Sequence, residues 1–165
     1  PTRAGKSSST ITVTDASGSA AQAAIAWNVA GRPTITGGLS VTKGRPALSL
    51  KVGAGTNAPP IQSIVVVPSN QVRFAKRARD LARGITVRNG SGRRLKSVAR
   101  LRRGDLVVTL HSARVRKASL RVTVPAIRLV KIKATSGKHH RAAVLQTLTV
   151  TVTDALAFRT AFSVR

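Results

Sequence analysis

The sequence predicts a mainly β chain: an antiparallel β-sandwich with one short helical insert, preceded by the terminal hairpin of an upstream sandwich. Three observations predict this. Thr, Val, Ser and Ala abound while aromatic residues make up 2% of the 165 residues, and β-branched side chains suit the pleated, half-buried surface of a strand. Short runs that alternate apolar and polar residues recur at even spacing with turn residues between them, as in a sandwich. The same hairpin sequence also occurs near both ends of the chain, and a repeat separated by a domain's length points to tandem modules.

Thr10-Ile11-Thr12-Val13-Thr14 alternates with period two, so it reads as a half-buried strand. Asp15-Ala16-Ser17-Gly18 supplies the turn. Residues 24–29 alternate again, which puts Ile11, Val13, Ile25, Trp27 and Val29 on one side of a hairpin. Gly31-Arg32-Pro33 breaks the pattern and reads as a linker.

Strands then follow at Leu39–Val41, Ala47–Val52, Ser63–Val67, Ile85–Arg88, Leu95–Leu101, Leu106–His111, Ser119–Val124 and Ile127–Lys133. Turn signals separate them, among them Asn57-Ala58-Pro59-Pro60, Pro68-Ser69-Asn70, Asn89-Gly90-Ser91-Gly92 and Arg103-Gly104-Asp105. The helical insert falls at 74–83, where Phe74, Ala78, Leu81 and Ala82 share a face and Gly84 supplies the stop. Residues 147–153 and 158–164 close the chain as a second hairpin. Thr12-Val13-Thr14-Asp15-Ala16 matches Thr151-Val152-Thr153-Asp154-Ala155 residue for residue, with Trp27 and Val29 answering Phe162 and Val164. The expected organisation is therefore residues 1–31, the end of one sandwich plus a linker, and 32–165, a second sandwich.

Pro1-Thr2-Arg3-Ala4-Gly5, the Thr12-Val13-Thr14-Asp15 strand, the Gly18 turn and Trp27-Asn28-Val29 together resemble the end of a bacterial Ig-like, cadherin-like repeat. Residues 33–165 are similar to domains that follow such repeats in actinobacterial surface proteins, through Lys43-Gly44-Arg45-Pro46, the basic helix before Gly84 and the final hairpin. The resemblance implies an Ig-like sandwich in an extracellular or cell-surface, multi-domain, adhesive or stalk-like protein, with neighbouring Ig-like domains as partners. It implies no catalytic residues. Cadherin repeats bind calcium through acidic clusters, and four scattered Asp depart from that pattern.

Composition sets further bounds. A sandwich of this length buries roughly two thirds of its unfolded surface. The absence of Cys excludes disulfides, thiolate metal sites and Cys nucleophiles. No apolar run approaches the ~20 residues of a membrane span. With Pro at position 1 and no Met, the chain is expected to begin inside a longer protein or to be a processed product.

The charge is extreme and uneven. Twenty-nine Lys and Arg face four Asp, for a net charge of +25. Residues 73–141 hold 21 of the 29 basic residues but only Asp80 and Asp105 as acids, whereas residues 1–72 hold six. Such asymmetry reads either as a polyanion-binding surface or as solvated strand faces. The candidate binding residues are Arg73, Lys76, Arg77, Arg79 and Arg83 around the helix, then Arg93, Arg94, Lys96, Arg100, Arg102 and Arg103 on the next hairpin. Arg77 and Asp80 lie at i,i+3, a spacing that can support the helix. Phosphate contact needs little beyond positive charge, while reading bases needs stacking aromatics, and Phe74 is the only aromatic in the stretch. The partners that fit are anionic polymers held non-specifically: a wall polymer, an acidic glycan or nucleic acid.

Other motifs fail on chemistry. Gly5-Lys6-Ser7 leads into a Ser/Thr-rich strand instead of the helix that a phosphate-binding loop requires. On a strand the neighbours His139 and His140 would point to opposite faces, and His111 is distant; a zinc site needs three or four ligands, so Gly137-Lys138-His139-His140 reads as a loop. Paired carboxylates for glycoside hydrolysis and a Gly-x-Ser-x-Gly elbow do not occur. Asn89-Gly90-Ser91 is formally a glycosylation sequon, but Asn-Gly reads as a hairpin turn. The sequence thus predicts no cofactor, no metal and no enzyme.

Overall fold

The computed structural model describes residues 5–14, 16–112, 114–130 and 147–164, with the backbone alone at 7 and 27–29. The chain is mainly β, antiparallel throughout, with one short helix. The first pair is β1 (Gly5–Thr14) and β2 (Ala20–Val29), which among the described residues form a two-stranded sheet of their own.

Then come β3 (Thr34–Thr42), β4 (Arg45–Gly53), β5 (Ile61–Val67), β6 (Val72–Phe74), α1 (Ala78–Gly84), β7 (Ile85–Asn89), β8 (Ser97–Arg102), β9 (Asp105–Leu110), β10 (Lys117–Val122), β11 (Ile127–Leu129), β12 (Leu148–Asp154) and β13 (Arg159–Val164). Two sheets face each other: a four-stranded sheet in the order β3-β4-β10-β7 and a five-stranded sheet in the order β13-β12-β5-β9-β8. A small β11-β6 pair lies beside them, and the Val124–Pro125 peptide is cis.

Period-two alternation builds the core. In the four-stranded sheet Leu50, Leu120 and Val87 are register partners across β4, β10 and β7, and so are Leu48, Val122 and Ile85. In the five-stranded sheet Val152, Ile64 and Val108 form one such row, and Val150, Val66 and Leu106 the next. All twelve are buried, and among the described residues no polar or charged residue joins them in the interior. Burying such side chains is the main force holding the sheets together, at ~1.5–3 kcal/mol for each one fully removed from water.

The structure corrects several sequence expectations. The helix starts at Ala78, not Phe74, which ends β6 and is buried there opposite Ile127. Ala78 and Ala82 are exposed, so α1 buries only Leu81 and Gly84. Gly84 does end the helix, for a different reason than a left-handed cap. A Cβ at Gly84 would collide with the Thr123 carbonyl oxygen and with Ala126, and Thr123 N–H donates to the Gly84 carbonyl at 2.8 Å.

Arg77 and Asp80 form no ion pair among the described residues; a backbone bond from Asp80 N–H to the Arg77 carbonyl joins them at 3.1 Å. Strand β3 is much longer than Leu39–Val41, and β8 begins at Ser97 where Leu95 was expected. Of the strand expected over 127–133, Ile127–Leu129 is present, and 131–133 lie outside the described residues. Asp15, His139 and His140 lie outside them too.

Candidate functional site

The eleven cations singled out from the sequence are all exposed, but they do not form one patch. Arg73 lies on β6 directly opposite Arg128 of β11, an arrangement that repels. Lys76 and Arg77 precede α1 and, with Arg128, rim a shallow cleft over Pro125. Arg79 and Arg83 ride on α1. Arg94 and Lys96 sit across a groove from Ala78, Leu81 and Ala82, with Val98 and His111 also lining it. Arg93 belongs to the turn before them. Arg100 and Arg102 point outward from β8, an edge strand of the five-stranded sheet, and Arg103 occupies the turn into β9. The segment is contiguous in sequence and divided among different surfaces in the fold.

The glycosylation sequon is a turn, built by a different device from an Asn-Gly pair at positive φ. The Asn89 side-chain oxygen accepts from Ser91 N–H at 3.1 Å, the Ser91 hydroxyl at 2.8 Å and Arg93 N–H at 2.9 Å. Gly92, not Asn89 or Gly90, has the positive φ, at 81°. Gly5-Lys6-Ser7 lies within β1, so no helix N-terminus stands behind it. Among the described residues no group of three or more His, Asp or Glu side chains converges.

A second basic surface is built from cations that were not among the eleven candidates, three of them within the same 73–141 segment. The outward residues of the four-stranded sheet form registered rows. One runs Thr36, Lys51, Ser119, Arg88 across β3, β4, β10 and β7; the next runs Gly38, Ser49, Arg121, Thr86. Lys117 follows Ser119 by the two-residue repeat on β10.

Ser119 therefore has Lys51 and Arg88 beside it on the neighbouring strands, and Lys117 and Arg121 before and behind it on its own. The lateral pair are one strand spacing away, ~4.8 Å, and the axial pair two residues away, ~6.8 Å. A groove of about 510 Å³ lies over this centre, lined by Thr36, Ser49, Lys51, Arg88, Ser119 and Arg121 among others. It shares Thr36, Lys51 and Ser119 with one neighbouring depression and Arg121 with another, so the three adjoin along the sheet as one shallow trough with those side chains between its parts.

The opposite face of the sandwich is different. The inner three strands of the five-stranded sheet expose Ser63, Val65, Val67, Val107, Thr109, Thr149, Thr151 and Thr153, with Asp105 at one end. Cations stand only on its edge strands, as Arg100, Arg102 and Arg159.

No family model matches the chain, and no curated protein does. Among solved structures, the fold is similar to that of BcpA, the major pilin subunit of Bacillus cereus. The TM-score is 0.53 at 8% identity, over 95% of this chain and 46% of the pilin chain. The chain has an Ig-like β-sandwich fold. A variant of the same pilin matches this sandwich at a TM-score of 0.52 and 10% identity with the same coverage. The chain thus spans less than half the length of the pilin, and the likeness is one of fold.

Proposed function

We propose that this chain is a non-catalytic structural or adhesive Ig-like module of a secreted or cell-surface bacterial protein. The observation that carries the reading is the sandwich itself, whose described interior is aliphatic apart from Phe74, and its likeness to a pilin subunit over 95% of the chain. A module of this kind acts by holding its shape and spacing its neighbours. The partners implied are adjacent Ig-like domains.

The first hairpin supports tandem organisation. Ile11 and Val13 stand in the repeat where Val150 and Val152 stand in the closing hairpin. Val150 and Val152 are 0% and 1% exposed, whereas Ile11 and Val13 are 49% and 65% exposed. Residues 1–31 are read as the end of an upstream sandwich whose remaining strands would cover that face.

Non-specific binding of anionic polymers through the basic segment 73–141, with the eleven singled-out cations as its candidate residues, is the second reading. It has less behind it, because the fold distributes those cations over different surfaces. The test of the leading reading is location. Intact cells of the source organism should be treated with a membrane-impermeant, amine-reactive biotin reagent; exposed Lys43, Lys51, Lys76, Lys96 and Lys117 make the module a good target. Labelling before lysis is expected, and labelling only after lysis would overturn a surface role.

A further inference from the structure

We propose that the outer face of the four-stranded sheet is a phosphate-binding trough centred on Ser119, taking successive phosphates of a linear polymer that has no rings to stack. The proposal does not depend on the structural role above. It starts from placement: Lys51, Arg88, Lys117 and Arg121 surround one hydroxyl as register and two-residue neighbours on three adjacent strands. Strands fix backbone positions far better than loops do, so the charges are pre-arranged.

Arg88 is pinned further, because its Nη1 donates to the Gly92 carbonyl at 2.7 Å and its remaining N–H groups are left for a ligand. Among the described residues no carboxylate pairs with any of the four cations, and no side-chain hydrogen bond uses the hydroxyls of Thr36, Ser49, Thr86 or Ser119.

The floor is low because its residues are small. Ser119 lies between Lys51 and Arg88, and Ser49 lies beside Arg121. Gly37, at φ 108°, lets β3 approach so closely that a Cβ there would collide with the Ser49 carbonyl oxygen. Hydroxyls and ammonium or guanidinium groups together are donors for phosphate oxygens. No aromatic side chain lines the trough, so the aromatic platform on which successive bases stack is missing, which disfavours single-stranded nucleic acid as the occupant. The depressions on either side extend the track toward Lys43 and Arg45 at one end and Gly90 and Gly92 at the other, which suits a chain rather than an isolated ion.

The experiment measures binding of fluorescently labelled long-chain polyphosphate to the whole chain as salt is raised. Two charge-matched triple variants are compared. One carries Lys51→Thr, Lys117→Thr and Arg121→Thr in the trough, sparing Arg88 and its turn. The other carries Arg100→Thr, Arg102→Thr and Arg159→Thr on the opposite face. Between about 50 and 200 mM salt, wild-type affinity should fall about twentyfold more than that of the trough variant, three lost contacts to a single-stranded polyanion being the difference. The opposite-face variant should follow wild type.

Ser119→Asp gives a second, independent readout. A carboxylate amid four cations should raise the melting temperature relative to Ser63→Asp, which faces uncharged neighbours, and should abolish polyphosphate binding. Equal losses in the two triple variants, no polyphosphate binding at low salt, or tighter binding of oligothymidylate than of polyphosphate would overturn the proposal. Equal melting shifts for the two Asp variants would do the same.

Discussion

Two residues in different hairpins solve the same local problem. Asn89 and Asp154 each accept hydrogen bonds on a side-chain oxygen from the N–H groups two and four residues on: Ser91 and Arg93 for the first, Leu156 and Phe158 for the second, at 2.9–3.1 Å. In both turns the residue three positions on has positive φ, 81° at Gly92 and 65° at Ala157. That conformation costs an L-residue about 1–2 kcal/mol, while glycine brings back about 0.4–1 kcal/mol of unfolded-chain entropy. Ala157→Gly should therefore stabilise the fold by roughly 0.5–1 kcal/mol, read from the denaturant midpoint. An unchanged or lowered midpoint would show that the turn relaxes its backbone elsewhere. The Thr-Val-Thr-Asp motif was legible as the end of a strand, but the role of Asp154 in anchoring the turn was not, since that depends on where the next four N–H groups point.

At the scale of elements, the turns are the best-specified parts of the molecule. Lys43-Gly44 and Arg103-Gly104 each close a two-residue hairpin, between Thr42 and Arg45 and between Arg102 and Asp105. Both residues of each pair have positive φ: 49° and 72° in the first, 54° and 96° in the second. Type I′ turns of this kind favour Asn-Gly, because Asn enters the left-handed region more readily than Lys or Arg. Lys43→Asn and Arg103→Asn should each add about 0.5 kcal/mol. Thermal melts of the two single variants and the double would check this, and non-additive or negative shifts would count against it. Arg103 had been singled out for its charge; in the fold its more evident constraint is conformational.

The helix shows the converse. Its apolar spacing over 74–83 was real, but Phe74 is taken up by β6, where pairing with Ile127 buries it. Sequence periodicity cannot weigh a local helix against a strand partner more than fifty residues away.

For the whole molecule, the decisive feature is where the core begins. Among the described residues no buried hydrophobic residue precedes Leu39, and β1 and β2 pair only with each other. A backbone bond from Gly31 N–H to the Thr56 carbonyl, at 2.7 Å, ties the segment after β2 to the loop between β4 and β5. Deleting residues 1–30 should leave the denaturation midpoint of the remaining chain within about 0.5 kcal/mol of the original, as for changes away from packed regions. A loss of several kcal/mol would instead make the first hairpin part of one fused fold.

The sequence by itself determined what depends on neighbours along the chain. Period-two alternation placed Leu48, Leu50, Val52, Leu106, Val108, Val150 and Val152 on inward faces, and turn residues marked the breaks between them. The absence of Cys and the near absence of acids were equally plain. The tertiary structure decided what depends on pairing across long stretches. Lys51, Arg88 and Arg121 look like unrelated outward positions until β4, β10 and β7 align and set them around Ser119. The cations from 73 to 103, contiguous in sequence, are parted because successive strands and the helix between them leave for different sheets. Charge density along a chain is a one-dimensional quantity, whereas a binding surface requires charges adjacent in space, and in a sandwich those neighbours are chosen by strand order.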